Sequence, residues 1–493
     1  MTATLPTSLY RAEQVRELDR IAIEERGIPG LCLMERAGAI TFEAARTRWS
    51  DAKSVCVVCG WGNNGGDGYV IARLAHIAGY QVSVLHPDDS RNVAGDALAT
   101  RQYLEAVGLA IQPFDENIVQ QADMIVDAMF GTGLKRPIEG IWADAVDTIN
   151  SASGQVVSVD IPSGLSSDTG VVLGAAVQAD LTATYIGLKR GLFTGSGPDY
   201  CGEVVFDDLD IPNDIYEDFA TDSTLLDQRA LDFPRRPRAS HKGSFGHVLV
   251  VGGEEGFTGA IRLTAEAAIR VGCGKISLAT RASHAGMLNL TRPEVMSHGV
   301  ESIEALNALF DGVDVIAVGP GLGKTEWSQR MLDTVIASGK PLVVDADALN
   351  LLAGSPQVLS NTVMTPHPGE AARLLNCSTK DIHTNRFQSA EDIRLKYGGI
   401  CVLKGAGSII SYADRPFDVC TAGNPGMACG GMGDLLTGVI AGLIGQGFPL
   451  GDAARLGVCL HAVAGDKVAE QGERGLMPTD LLPWLRHFAN MST

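Results

Sequence analysis

The sequence predicts two α/β sandwiches in tandem, each a parallel sheet with helices on both faces. Three observations predict this. Short apolar runs alternate with helical segments, glycine clusters stand between them, and the pattern breaks once before starting afresh. A chain of 493 residues exceeds what one ordinary core supports. Its 45% hydrophobic and 20% charged residues suffice for packed domains. The 58 glycines fall where tight strand-to-helix turns need them.

Amphipathic helices are predicted over Arg11–Arg26 and Leu33–Arg48. Strand-like runs follow at Ser54–Val58, Gln81–Leu85, Met124–Asp127 and Val156–Val159, and the pattern fades after Val205 and Phe206. From Asp222 to Ser240 the chain reads as a connection, because two prolines and a charge run, Pro234 to Arg238, break regular structure. A second series starts at His247–Val251. It continues at Lys275–Thr280, Val315–Val318, Pro341–Val344, Asn361–Thr365 and Ile400–Leu403, with helices including Thr258–Val271 and Pro368–Leu375. The expected domains are residues 1–225 and 226–493.

With 39 basic and 58 acidic side chains the formal charge is −19. That argues against nucleic acid as a partner, since phosphate backbones need a basic footprint. It leaves nucleotides open, because backbone N–H groups hold them in local pockets. Residues 1–33 carry mixed charges and no apolar core, unlike a signal peptide. The most apolar stretch, Leu435–Gly447, falls short of the ~20 residues a span needs. A soluble chain in a reducing cytoplasm is expected, with its ten cysteines as core thiols. The close pair Cys56 and Cys59 lies three apart on a strand and so on opposite faces, unsuited to sharing a metal.

Three loops in the first half carry chemistry. Gly60–Gly68 contains Asn63, Asn64, Gly65, Gly66 and Asp67 and stands between a strand and the helical run Tyr69–Ala78. Glycines there let a backbone approach a phosphate, the helix start offers unpaired N–H groups, and the side-chain oxygens suit a hard cation. Asp127 ends the next buried run and is followed by Gly131, Thr132, Gly133, Leu134, Lys135 and Arg136. Asp160, Ser163 and Gly164 follow Val156–Val159. Singly, each aspartate could cap a turn. Together they form one pocket if the strand order brings the ends side by side.

These loops are similar, in order and spacing, to the NAD(P)H-hydrate epimerases over about residues 9–215. The resemblance implies a Rossmann-like domain in which the first motif and the Gly131–Arg136 loop hold dinucleotide phosphates. It implies a potassium ion at Asn64, Asp127 and Ser163. Asp160 would be the acid/base at C6 of the nicotinamide ring, interconverting R and S hydrates.

In the second half the strongest motif is Gly430–Gly438, opening an apolar helical run with Gly431, Gly433 and Asp434. Consecutive N–H groups at a helix start can hold a transferring phosphoryl group, and Asp434 can take a proton from an attacking hydroxyl. Lys404, Gly405, Ala406, Gly407 and Ser408 follow a strand, as do Gly319, Gly321 and Gly323; His241–Gly246 precedes the first strand, and Gly256, Gly259 and Ala260 open its helix. Taken alone, a Gly-x-Gly-Asp run is often an ordinary helix cap. The set resembles the ribokinase-like superfamily. Kinases of that fold commonly carry Thr-Pro-Asn before x-x-Glu; here Thr365 and Pro366 precede His367, with Glu370 after it.

That departure is similar to the ADP/ATP-dependent NAD(P)H-hydrate dehydratases, over about residues 228–488. The resemblance implies that Ala260, Gly321, Gly323, His367 and Asp434 meet the hydrate, and that Lys404, Gly405, Ala406, Gly407, Ser408 and Gly433 meet the nucleotide. Asp434 would deprotonate the C6 hydroxyl of the S hydrate, which attacks the terminal phosphate of ADP. Elimination then gives NAD(P)H, with AMP and phosphate released. The preference for ADP over ATP is carried over from fused chains and read from no residue, and magnesium would accompany the nucleotide. The family also implies a homo-oligomer acting on NADHX and NADPHX. Two rivals stand beside this reading: a small-molecule kinase fused to a regulatory domain, and a first half that binds without turnover.

Overall fold

The computed structural model describes residues 5–88, 93–217 and 219–491, so the outermost residues of both expected domains lie outside the description. The chain divides between Thr224 and Leu225 into two compact units.

The first unit is built on seven parallel strands. In order across the sheet they are Ile111–Pro113, Gln81–His86, Ser54–Cys59, Met124–Ala128, Gln155–Val159, Leu181–Tyr185 and Glu203–Asp207. From Ser54–Cys59 the chain winds one way through the next two strands, then returns to lay Met124–Ala128 on the other side. Those two strands flank the switch point, where parallel sheets place ligands. The central runs are apolar because both faces are covered. Cys59 packs with Val55 and Val57 on one face and Cys56 with Val58 on the other, so the two thiols are separated by the sheet itself.

The structure revises several predicted elements. The first helix is regular only over Ala12–Arg20 and continues through a wider turn, Ile21–Glu25, closed by the Arg26 N–H donating to the Ile21 carbonyl at 3.0 Å. The predicted loop Asn63–Gly68 is instead the opening of a helix that runs Asn63–Ile77. Its glycines serve packing. A Cβ on Gly65 would stand 2.1 Å from the Gly60 carbonyl oxygen, and one on Gly66 2.5 Å from the Met34 sulfur. The connection Asp222–Ser240 is not wholly irregular, since Ser8 and Leu9 pair antiparallel with Thr224 and Ser223.

The second unit holds seven parallel strands in the order Met296–Gly299, Lys275–Thr280, His247–Val251, Val315–Val318, Leu342–Val344, Thr362–Met364 and Ile400–Leu403. Ser408–Ser411 and Phe417–Cys420 then extend the sheet antiparallel. On one face the helices Thr258–Arg270 and Met432–Gly445 lie in backbone contact. A Cβ on Gly438 would meet the Thr264 carbonyl oxygen at 2.1 Å, and one on Gly442 the Ala268 carbonyl at 2.9 Å. Among the described residues no helix is long and apolar enough to cross a membrane.

Candidate active sites

In the first unit the three loops leave adjacent strands, as a shared pocket requires. They border a cavity of about 960 Å³ lined by Asn63, Asn64, Asp67, Asp160 and the entire Gly131–Arg136 loop. Gly65 and Gly66 are buried in helix packing and take no part in that lining, contrary to the idea that they bring backbone to a ligand.

Asp160 follows its strand directly, in left-handed backbone with φ 67°. Few residues other than glycine adopt that conformation, and aspartate is among them. Its N–H donates to the Ala183 carbonyl at 2.7 Å, tying the turn to the neighbouring strand. Its carboxylate pairs with the Lys189 ammonium, whose side chain is 1% exposed. That ammonium also donates to Thr184 Oγ1 at 3.0 Å and to the Tyr185 carbonyl at 2.9 Å. Asp19 and Asp67 line the same cavity. Burial pushes Asp19 up to about 6, with Lys189 opposing and Asp160 adding to the rise. Burial also drives Asp67 well above the usual carboxylate range, helped by Asp160 and Asp19. One buried ammonium is thus set among three carboxyl groups, an arrangement able to hold a proton near neutral pH and pass it on.

Asp127 is fully buried. It accepts from Ser163 Oγ at 2.6 Å, the Ser163 N–H at 2.8 Å and Ser158 Oγ at 2.9 Å, yet burial still raises its pKa. Ser163 Oγ in turn accepts from the Phe130 N–H at 2.8 Å. Asn64 is buried with neither side-chain polar atom hydrogen-bonded, and its Oδ1 lies beside Gly131, where a Cβ would come within 3.3 Å. A buried amide without a partner is costly. An amide oxygen, a carboxylate and a hydroxyl are the oxygen donors a hard cation accepts, and Asn64, Asp127 and Ser163 supply those types.

In the second unit the helix Met432–Gly445 opens at Gly431, left-handed at φ 97°. Asp434 sits in its first turn, and Thr264 Oγ1 donates to its carbonyl at 3.0 Å. Burial, then the Asp345 charge, raise the Asp434 carboxyl to about 7, while Lys404 opposes. Asp345 accepts from Lys404 Nζ and Thr437 Oγ1, each at 2.8 Å. Burial works against its charge, but the Lys404 ammonium holds it below the usual range. Glu370 is lifted by burial to about 7, with Lys404 opposing and Asp345 adding to the rise. Here a partly buried lysine is surrounded by several carboxyl groups. A Cβ on Gly433 would lie 3.1 Å from Lys404 Nζ, which joins two residues far apart in sequence.

The other expected contacts divide. Gly321, at φ 56°, lies against Ala260, where its Cβ would come within 3.2 Å. The Gly323 N–H donates to Asp347 Oδ2 at 2.9 Å, and Asp347 is one of the charges acting on Asp434. In the Lys404–Ser408 loop, Gly405 and Ala406 are exposed. The loop is anchored by Arg386, which is 1% exposed and donates to the carbonyls of Leu403 at 3.3 Å, Lys404 at 3.4 Å and Gly407 at 3.3 Å. His367 caps a helix: its Nδ1 accepts from the N–H groups of Gly369 at 2.9 Å and Glu370 at 3.3 Å, and its own N–H donates to Glu370 at 2.8 Å. Half of its side chain remains exposed. The segment His241–Gly246 lies away from the site. A Cβ on Gly246 would strike Gly445, at the opposite end of the helix from Asp434.

Sequence reading missed Lys189, Asp19, Asp345 and Arg386. Asp345 had a usable signal, since it ends a buried run just as Asp127 does. Arg386 had none, because an arginine in a polar helix reads as solvated.

A family model for NAD(P)H-hydrate dehydratase matches residues 248–486, and one for the YjeF-related protein N-terminus matches residues 30–191. The chain is 45% identical over 487 residues to a bifunctional NAD(P)H-hydrate repair enzyme of Coxiella burnetii, covering 98% of this chain and 100% of the relative. It is 41% identical over 497 residues to that of Escherichia coli K12, covering 99% and 95%. A solved ribokinase-like superfamily protein from Enterococcus faecalis V583 matches with TM-score 0.51 and 30% identity, over 55% of this chain and 96% of that one. With both halves matched in order and full-length relatives this similar, the chain belongs to the family of bifunctional NAD(P)H-hydrate repair enzymes.

Proposed function

We propose that the first domain, residues 1–225, interconverts the R and S hydrates of NADH and NADPH. The second, residues 226–493, dehydrates the S hydrate using ADP and releases AMP and phosphate. The observation that carries this is the recurrence, at two carboxyl sheet edges, of an aspartate held beside a lysine withdrawn from solvent, fully at Lys189 and partly at Lys404, and beside further carboxyl groups.

In the first site Asp160 protonates the C6 hydroxyl as it leaves as water and takes a proton back when water re-adds to either face of the ring, and Lys189 fixes its orientation. Asn63, Asn64, Asp67 and Gly131–Arg136 border the dinucleotide. Asn64, Asp127 and Ser163 would hold a potassium ion, which would supply fixed positive charge to the site; the unpartnered Asn64 amide supports it. In the second site Asp434 takes the proton of the C6 hydroxyl, which attacks the terminal phosphate of ADP. Phosphate leaves far more readily than hydroxide, so elimination restores the dihydronicotinamide. Gly433 and Lys404–Ser408 meet the nucleotide, with magnesium accompanying it, and Ala260, Gly321, Gly323 and His367 meet the hydrate. The enzyme works in the cytoplasm as a homo-oligomer.

The test is incubation with mixed R and S hydrates plus ADP, following absorbance of the reduced nicotinamide. The intact chain recovers all of it. Asp160→Asn rapidly recovers the S fraction alone, and Asp434→Asn recovers none. A phosphorylated product that persists without regained absorbance would favour the kinase reading instead.

A further inference from the structure

At the far end of the helix that carries Asp434, the second unit contains another cavity, of about 870 Å³. Gln446, which caps that helix, is on its lining. Twelve residues separate Gln446 from Asp434, about 18 Å along the axis. Among the described residues the lining carries Arg235, Arg236, Arg270 and Arg486 and no carboxylate, in a chain whose net charge is −19.

The four arginines differ. Arg236 is part of the wall: its guanidinium lies 3.8 Å over the Phe245 ring, donates to the Gly272 carbonyl at 2.6 Å and also bonds Gln446. Arg235, Arg270 and Arg486 make no side-chain hydrogen bond or ion pair among the described residues. Helix C-termini attract cations, which explains Arg270 and Arg486 taken singly, each in the last turn of its helix. It does not explain Arg235, which belongs to no helix, nor why all three converge on one concave space with no carboxylate among the described lining residues. Guanidinium forks match phosphate oxygens in pairs. Phe233 and Phe448, edge to face at 6.2 Å, add an aromatic wall on which a base can pack. The volume falls in the range of small-molecule sites.

We infer that this cavity is a second nucleotide site, taking a mononucleotide by its phosphate at Arg235, Arg270 and Arg486, apart from the Asp434 centre. Equilibrium dialysis of the full chain against labelled AMP tests it, with inorganic phosphate as a parallel probe. The intact chain binds AMP at one more site than the Arg270→Ser/Arg486→Ser variant. Arg235→Ser, which disturbs no helix, weakens that site about tenfold, the scale of one charged hydrogen bond. Phosphate binds there at least about tenfold more weakly than AMP, since it lacks the base. Dehydration rate and KM for ADP stay within about twofold in all three proteins, because the arginines lie one helix length from Asp434. Identical AMP isotherms in the intact chain and the variants would overturn the proposal. So would phosphate binding as tightly as AMP, or AMP binding lost together with dehydration.

Discussion

Asp434→Asn should stabilise the ligand-free second unit, increasingly so as pH rises. In the folded chain burial and Asp345 hold the Asp434 proton up to about pH 7, against an ordinary value of 3.8. A carboxyl raised by folding costs nothing below its unfolded pKa. The cost grows as pH climbs from there and is complete above the folded value. At 1.36 kcal/mol per unit, the full penalty is about 4 kcal/mol. Linkage places somewhat under 2 kcal/mol of it at pH 5, so the gain from asparagine should grow by about 2.5 kcal/mol between pH 5 and pH 8.5. Urea unfolding of both proteins at the two pH values, followed by fluorescence of Trp327 and Trp484 in the second unit, measures it directly. An equal gain at both pH values, or a loss at pH 8.5, would refute the claim that Asp434 is held protonated by its surroundings.

Dehydration needs Asp434 ionised, so kcat/KM should fall about tenfold per pH unit below about pH 7 and level off above it; a flat profile from pH 6 to pH 8 excludes it as the base. Lys189→Met leaves Asp160 among like charges, so epimerisation should fall by about a hundredfold or more while dehydration of pure S hydrate is unchanged, read by chromatography of the two epimers. Arg386→Lys loses the planar fork that gathers three carbonyls, so KM for ADP should rise about tenfold with little change in kcat. Potassium should raise the Tm of the intact chain relative to sodium and have no such effect on Asn64→Ala, which removes the unpartnered amide.

Both sheets were legible in the sequence where strands are continuously apolar, as at Val55–Cys59 or Val248–Val251, because burial on two faces leaves an unmistakable run. Leu181–Tyr185 was not, since two of its five residues are threonines. Yet both are fully buried, and Thr182 donates to the Cys201 carbonyl at 2.7 Å. Asn63–Gly68 misled in the other direction. Glycine is a poor helix former and suggests a turn, whereas here its missing side chain lets a helix seat on the sheet. Of the site residues, those in glycine-rich loops announced themselves. Lys189 and Asp345 matter because of what the fold lays beside them, Asp160 in one case and Lys404 in the other, and such partnerships have no local spelling.

The left-handed turn at Asp160 has a consequence for the chemistry the first site can ever adopt. The torsion at that point admits glycine, asparagine and aspartate far more readily than any other residue. Of those three only aspartate titrates. Glutamate, equally acidic, would carry a backbone cost there that aspartate largely avoids, so the main-chain torsion favours the shorter acid one residue past the strand.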